Sequence, residues 1–170
     1  MKLDIERASH LDLPAIAAVT VESWQTTFQQ ILPDAFLTEL TVESQLRRHE
    51  KLFASSGVFY YVARQGDQVV GFSSGGPNRD PSPDVPNELY GLYLLKEWHG
   101  QGTGRSLLTT LAMQLQTPDQ PGLIALVLAN NPHRDFYQRL GGLRQLGQPL
   151  ELGGRSWPVD RYTWRQALTQ

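Results

Sequence analysis

Between residues 88 and 115 a strand, a glycine-rich turn and a helix follow one another directly. Glu88 to Leu95 reads ELYGLYLL and is typical of a strand, and Gly102 to Leu115 is an amphipathic helix with leucines along one stripe. Where such a helix begins, several backbone N–H groups have no internal partner and the helix dipole is positive. Gly102 and Gly104 let the backbone approach an anion without a Cβ in the way. The segment therefore predicts an α/β fold with a phosphate-binding turn.

Three kinds of phosphate-binding loop compete for this turn. A Walker A loop needs glycine where His99 stands and lysine where Arg105 stands, so it does not fit. A dinucleotide fingerprint needs a third glycine, but the required position is Arg105 or Leu107, depending on where the motif starts. Arg105 also places a positive charge in the first turn of the helix, where the dipole disfavours it, which points to an external anion.

The remaining loop type matches, and it is accompanied by other motifs. The run from His99 to Gly104 (HGQGTG) fits the pattern Gln/Arg-x-x-Gly-x-Gly/Ala of acetyl-CoA-dependent N-acetyltransferases, departing from it only at His99. Asn130 to Gly142 (NNPHRDFYQRLGG) resembles the Asn…Phe-Tyr-x-x-Leu-Gly stretch of the same family, and Glu88 to Leu94 resembles its fourth strand. Over nearly its whole length the chain thus resembles the GCN5-related N-acetyltransferases, or GNAT family.

This resemblance implies a mixed, splayed β-sheet flanked by helices, with acetyl-CoA lying between the diverging fourth and fifth strands. Backbone groups of Leu92, Tyr93 and Leu94 would pair with the pantetheine amides as an added strand would. The residues expected to hold the pyrophosphate are His99, Gly100, Gln101, Gly102, Thr103, Gly104 and Arg105. Asn130 or Asn131 would hydrogen-bond the cofactor, although either could equally be a turn or cap residue.

Two residues are candidates for the acid–base chemistry. Tyr137 matches the family's general acid, which would protonate the CoA thiolate as it leaves. The alternative is an aromatic ring that only packs the short helix onto the sheet. Glu88 is the candidate base, on a strand whose alternation would put Glu88, Tyr90, Leu92 and Leu94 on one face. The alternative for Glu88 is an exposed charge at the start of a strand. Some relatives carry an acidic base on the fifth strand, but here that strand, Leu123 to Leu128, has no acid.

The acceptor side is less well defined. Trp24, Phe28 and Tyr90 are weak candidates for the acceptor pocket, since aromatic residues of this kind also form cores. Gly75 to Pro86, with four prolines, is predicted to be a surface lid or mobile loop. We expect one N-acetyltransferase domain over residues 1–170, with the element order β-α-α-β-β-β-α-β-α-β-β. The first long helix should end near Gln30, and the last two strands should run over 143–150 and 157–165 around a Gly153-Gly154 turn.

Composition narrows the function classes. The chain has 170 residues, a net charge of −2 and no cysteine, which argues against a nucleic-acid binder acting through bulk charge and excludes disulfides and cysteine nucleophiles. No apolar run is long enough to cross a membrane and the first residues lack a signal core, so a cytoplasmic location is the expectation. His10, His49 and His133 lack metal-ligand spacing, and no metal is expected. The resemblance to the GNAT family implies an enzyme that transfers acetyl from acetyl-CoA to a primary amine, with homodimerisation as a family-level expectation. The alternative is a non-catalytic acyl-CoA-binding module.

Overall fold

A computed structural model describes residues 3–82 and 84–169 of the chain. In this part of the chain nine strands and five helices alternate, and the list that follows gives their bounds. They are β1 (Asp4–Arg7), α1 (Leu13–Thr27), α2 (Asp34–Glu39), α3 (Val42–Phe53), β2 (Phe59–Gln65), β3 (Gln68–Ser82), β4 (Val85–Leu94), α4 (Thr103–Leu115), β5 (Leu123–Leu128), α5 (Asp135–Arg139), β6 (Leu143–Leu146), β7 (Leu150–Leu152), β8 (Arg155–Trp157) and β9 (Val159–Trp164).

Seven strands form one sheet in the order β1-β2-β3-β4-β5-β9-β6, and β7 and β8 form a separate hairpin. All neighbouring pairs of the large sheet are antiparallel except β4 and β5, which run parallel. A parallel pair needs a crossover, and α4 provides it. The end of β4, the glycine turn and the start of α4 therefore lie at the one parallel junction of the sheet.

The helices cover the sheet because their apolar residues face it. Leu107, Leu108, Leu111 and Ala112 of α4 are fully buried, and the last three pack with Leu89 of β4. On α1 the packing residues include Ile16 and Val19, which join Tyr60 and Phe72 in a second cluster, and Leu46 and Leu52 of α3 pack against that cluster. Ser9 and Asp12 form a capping box at the short 3-10 turn (His10–Asp12) that leads into α1, with a 2.7 Å bond from the Ser9 N–H to Asp12 Oδ2, and Pro14 lies in the first turn of α1.

The sheet splays between β4 and β5. These strands pair at only three positions, the last being Leu89 with Ala125, although β4 continues to Leu94 and β5 to Leu128. The second half of β4 is therefore paired with β3 on one side only. Its other side opens a wedge between the two strands, as the resemblance implied.

Three expectations about local structure were wrong. The predicted loop 75–86 is instead the end of a long β3–β4 hairpin, although Pro83 lies outside the described residues. Side chains join the two strands here despite the prolines, as in the 2.7 Å bond from Asn78 Nδ2 to the Val85 carbonyl. The first helix ends at Thr27 because the chain turns at Phe28 and reaches a left-handed φ of 65° at Gln30. The last two predicted strands are four short ones, since the Gly153-Gly154 turn closes its own small hairpin.

Candidate active site

A cavity of about 470 Å³ occupies the wedge between β4 and β5. Its lining comes from four places: α1, the end of β4, the glycine turn with the start of α4, and the segment after β5 that leads into α5. The lining residues from α1 and its end are Ser23, Thr27 and Phe28; those from β4 and the turn are Leu92, Tyr93, Leu94, His99, Gly100, Gly102, Gly104 and Arg105; and those after β5 are Asn131, Pro132, His133, Asp135, Phe136, Tyr137, Arg139 and Leu140. One cavity thus brings most of the predicted cofactor residues together with the predicted acid.

The glycine turn is shaped to accept an anion. Gly100 and Gly102 have φ values of 74° and 84°, which favour glycine, and a Cβ built on either would meet no atom within 4 Å. Gly102 caps α4 without any side-chain cap, and the first turn of the helix carries no acidic residue. The first N–H groups of α4 are therefore free to bind a ligand, and Arg105 lines the same space. Gln101 and Thr103 belong to the turn but do not line the cavity, and Thr103 is buried.

Tyr137 lies on the opposite wall, in α5. Its ring packs on Tyr162, with the centroids 5.4 Å apart, and on Phe136 at 5.1 Å. Burial raises the pKa of Tyr137 well above its usual value, and the neighbouring Tyr93 and Tyr162 add to the rise. Helix α5 is held in place because Arg134 bonds both the Ala129 carbonyl and Asp160 Oδ2. The phenol therefore keeps its proton near neutral pH at a fixed point of the cavity.

The two candidate asparagines occupy different positions. Asn131 lines the cavity, and its Oδ1 accepts a 2.8 Å bond from the His133 N–H, as a turn residue would. Asn130 does not line the cavity, but its buried Oδ1 has no hydrogen-bond partner among the described residues. Unpaired buried oxygens are rare, so this atom is a candidate acceptor for a ligand or water. The assignment between the two residues stays a prediction.

Comparison with known proteins agrees with this geometry. The family model described as "Acetyltransferase (GNAT) domain" matches residues 56–141, which contain β4, the glycine turn and Tyr137. The chain is also 33% identical over 150 residues to the Bacillus subtilis (strain 168) protein named "Uncharacterized N-acetyltransferase YuaI", a match that covers 88% of this chain and 86% of that protein. This chain belongs to the GNAT family. The predicted family, enzyme class and use of acetyl-CoA are thereby confirmed.

Solved structures confirm the fold. The PaiA N-acetyltransferase of Thermoplasma acidophilum, solved with coenzyme A, superposes with a TM-score of 0.71 at 18% identity, covering 96% of this chain and 100% of that one. YncA of Salmonella typhimurium, solved with its cofactor acetyl-CoA, gives a TM-score of 0.71 at 18% identity, covering 100% of this chain and 96% of that one. The mixed sheet with its splayed centre is therefore a GNAT fold.

In this GNAT chain Glu88 is neither exposed nor in the cavity lining. Only 1% of it is accessible, and its Oε2 accepts a 2.9 Å bond from the Arg79 N–H and a 3.1 Å bond from Arg79 Nε. The expectation of a simple surface charge is thus wrong. The base role stays a prediction, since Arg79 occupies the carboxylate and Glu88 does not line the cavity.

The predicted shared face of β4 is also corrected. The pairing of β3 with β4 shifts by one residue, from Gly75 with Leu89 to Ser74 with Gly91, so β4 contains a bulge at Tyr90. Leu89 consequently packs against α4, while Tyr93 turns towards α1. Side chains alternate between the two faces of the sheet along β4, and the extra residue at Tyr90 reverses this alternation once. Glu88 therefore lies on the α1 face together with Tyr93, and Leu92 lies on the other face.

Two of the three aromatic acceptor candidates do not line the cavity. Phe28 lines the cavity, whereas Trp24 contacts two of the lining residues. Trp24 Nε1 donates a 2.9 Å hydrogen bond to Tyr93 OH, and the Trp24 ring packs on Phe28 with the centroids 4.9 Å apart. Tyr90 lies elsewhere, with its OH bonded to the Pro77 carbonyl and its ring under the Arg79 guanidinium at 4.7 Å. Trp24 thus orients a cavity residue, and Tyr90 belongs to the hairpin.

Sequence reasoning missed several cavity residues. Ser23 is buried and its Oγ has no hydrogen-bond partner among the described residues, although it lines the cavity. Thr27 follows it one helical turn later, which is the signal that could have placed both on one face of α1. His133 and Arg139 also line the cavity, and no local pattern in the sequence places either of them there. Within the described ranges no group of three or more potential ligands could hold a metal ion.

Proposed function

We propose that this protein is a single-domain enzyme, over residues 1–170, that transfers acetyl from acetyl-CoA to a primary amine by direct attack. The observation that supports this most is the cavity itself, which connects the glycine turn of Gly100 and Gly102 to the phenol of Tyr137 along the open half of β4. Acetyl-CoA lying in that groove would place its diphosphate at the turn and its thioester near Tyr137. The acceptor would enter from the side of Ser23 and Phe28.

In the proposed reaction the protein positions the two reactants and supplies one proton. A neutral amine attacks the thioester carbonyl, so a C–N bond forms and the C–S bond breaks. The phenol of Tyr137 gives its proton to the departing thiolate. A phenol whose pKa is raised by burial remains protonated at the start of each cycle, as a general acid must. The tyrosine is then restored by the proton that the amine releases.

Removing the proton from the amine is the role we assign to Glu88. A lysine-type amine has a pKa near 10.4 and is charged at neutral pH, whereas an α-amine has a pKa near 7.7–8.0 and needs less help. Because Glu88 does not line the cavity and its carboxylate is bound by Arg79, contact through water fits the geometry better than direct contact. An acceptor with a low pKa would suit this site best.

A second candidate is a non-catalytic acyl-CoA-binding module with the same fold. It is favoured by two observations: β5 carries no acid, and the only acid proposed as a base is bound by an arginine. The experiment that separates the two proposals follows free thiol released from acetyl-CoA over a panel of peptides, polyamines and small amines. Amine-dependent release supports the enzyme, and stoichiometric binding without release across the panel supports the module.

We propose a cytoplasmic location and a homodimer. In the described part of the chain no helix is long and apolar enough to span a membrane. The edge strand β6 exposes Leu143 and Leu146, whose apolar side chains are candidates for a contact between two copies. Light scattering on the purified protein would give the mass in solution, and a monomeric mass at tens of micromolar would contradict the dimer.

A further inference from the structure

Two histidines face each other across the mouth of the cavity. His99 precedes the glycines of the turn after β4, and His133 lies in the segment between β5 and α5. Their rings meet edge to face with centroids 5.1 Å apart, and both line the cavity. One imidazole thus comes from each side of the wedge, at the end where Gly100 and Arg105 also lie.

A hydrogen bond of His99 determines which of its two ring nitrogens can gain or lose a proton. Nε2 lies 2.8 Å from the Leu94 carbonyl oxygen, which can only accept, so Nε2 carries a proton. Nδ1 is therefore a bare lone pair in the neutral ring and an N–H donor in the charged ring. A phosphate oxygen offers only lone pairs, so it is repelled by the first form and bound by the second.

The surroundings of His133 disfavour the charged form of its ring. Partial burial lowers its pKa below the usual value, and the neighbouring His99 and Lys96 add to this effect. The other charged groups around the pair are Arg105 from α4 and Asp135 and Arg139 from α5, all in the cavity lining, and Arg134, which is bonded to Asp160. Most of these charges are positive, so an entering anion would offset the electrostatic part of this effect, while burial of the ring remains.

We propose that His99 and His133 form an imidazole pair that takes up a proton when the diphosphate of acetyl-CoA enters the turn, and so couples cofactor affinity to pH. This inference rests on the proposed function only in placing acetyl-CoA in the groove. The sign follows from linkage: a complex that binds more protons than the free protein becomes tighter as pH falls. Loss of the proton above neutral pH weakens binding.

The test is titration calorimetry with 3′-dephospho-acetyl-CoA, whose diphosphate has no group that titrates between pH 6 and 8. At pH 7 the enthalpy is measured in two buffers of different ionisation enthalpy, which gives the number of protons taken up. Kd is measured at pH 6, 7 and 8. The variants are His99→Gln, His133→Gln and the double variant, because glutamine keeps a donor but cannot titrate. The control is His10→Gln, at an exposed histidine outside the cavity lining.

For the wild type and the control we expect net proton uptake and a Kd about fivefold lower at pH 6 than at pH 8, because raising one pKa by about one changes Kd by at most about tenfold and only part of that change falls between these two pH values. The double variant should show no uptake and a change in Kd of less than about twofold over the same range. Proton uptake that survives in the double variant overturns the inference. Uptake that is lost in His99→Gln but unchanged in His133→Gln overturns the claim that the two histidines act as a pair. Absence of binding at every pH would instead contradict the proposed function, and binding without turnover would leave the inference standing.

Discussion

Glu88 and Arg79 form a buried-to-exposed ion pair across the β3–β4 hairpin. The carboxylate is 1% accessible, while 53% of the arginine side chain remains in solvent. Arg79 also donates its backbone N–H to the same carboxylate at 2.9 Å, so one residue satisfies most of the acceptor sites of Glu88. The pair fixes the far part of the hairpin, where sequence analysis predicted a loop.

The two halves of this pair should differ in their effect on stability. Arg79→Gln leaves a buried carboxylate with fewer donors and no counter-charge, which we expect to cost about 2 kcal/mol once the exposure of the arginine is allowed for. Glu88→Gln leaves a guanidinium that water can reach, and should cost about 1 kcal/mol or less. Urea denaturation at pH 7 measures both. Equal losses, or a larger loss for Glu88→Gln, would contradict the asymmetry.

Glu88→Gln also tests the proposed base. Cofactor affinity should be nearly unchanged, because Glu88 is absent from the cavity lining. The acidic limb of the rate–pH profile should be lost or displaced if this carboxylate accepts the amine proton. Arg79→Lys is the matched control, since it keeps a counter-charge near the carboxylate. A profile identical to that of the wild type would leave Glu88 with a structural role only.

Tyr137→Phe removes the hydroxyl and keeps the ring that packs on Tyr162 and Phe136. If the phenol protonates the thiolate, kcat should fall by about 10²–10⁴, while KM for acetyl-CoA changes little. Because burial raises the pKa of Tyr137, its ionisation should not limit the rate between pH 6 and 9. Steady-state kinetics at several pH values measures both effects. A decrease in kcat below about threefold would contradict the acid role.

The glycine turn is tested by Gly104. A Cβ at this position would lie 3.4 Å from the Phe136 ring, close to ordinary contact, and the backbone is helical there. Gly104→Ala should therefore fold with wild-type stability, whereas the branched side chain of Gly104→Val would fill cavity space between α4 and Phe136 and should weaken acetyl-CoA binding. Calorimetry on variants shown by circular dichroism to be folded gives the affinities. A Gly104→Val protein with wild-type affinity would remove the diphosphate from this turn.

His49 should make stability depend on pH in acid. Thr20 Oγ1 donates to the Ile16 carbonyl and lies 2.9 Å from His49 Nε2, so Nε2 donates to it and Nδ1 accepts from Tyr60 OH, also at 2.9 Å. Burial, with a smaller contribution from Arg48, lowers the pKa of His49 from 6.5 to about 4. The ring is thus neutral in the native state, and a proton on Nδ1 would break the bond from Tyr60.

The unfolded chain therefore binds the proton first, and the contribution of His49 is complete above about pH 6.5 and is lost as pH falls towards 4. We expect the free energy of unfolding to decrease by about 2 kcal/mol between pH 8 and pH 5 through this residue. Urea denaturation at both pH values measures it. His10→Gln should keep the decrease and His49→Gln should reduce it; a decrease of the same size in His49→Gln would assign it to other groups.

The order of motifs along the chain was enough to predict the family and the cofactor groove. The positive φ of Gly100 and Gly102, the unpaired start of α4 and the place of Tyr137 beside the cleft follow from local requirements, because a turn that binds phosphate and the helix that follows it are built from adjacent residues. The hairpin over 75–86 could not be predicted in this way. Its prolines and aspartates are typical of a loop, and the Asn78–Val85 and Arg79–Glu88 contacts that order it become visible only once the two strands are paired.

By itself, the sequence determined the glycine turn, the fifth strand and the helix that carries Tyr137, since each depends on residue types within a dozen positions. Only the tertiary structure decided on which face of the sheet each side chain lies and which distant residues come into contact. The bulge at Tyr90 moves Glu88 to the α1 face, because one extra residue in a strand inverts the alternation on which the sequence argument relied. Because β4 and β5 run parallel, the segments that follow them lie at the same end of the sheet, where the rings of His99 and His133, 34 positions apart, come into contact. Contacts between distant segments are set by strand pairing and helix packing, and no local pattern in a single sequence encodes them.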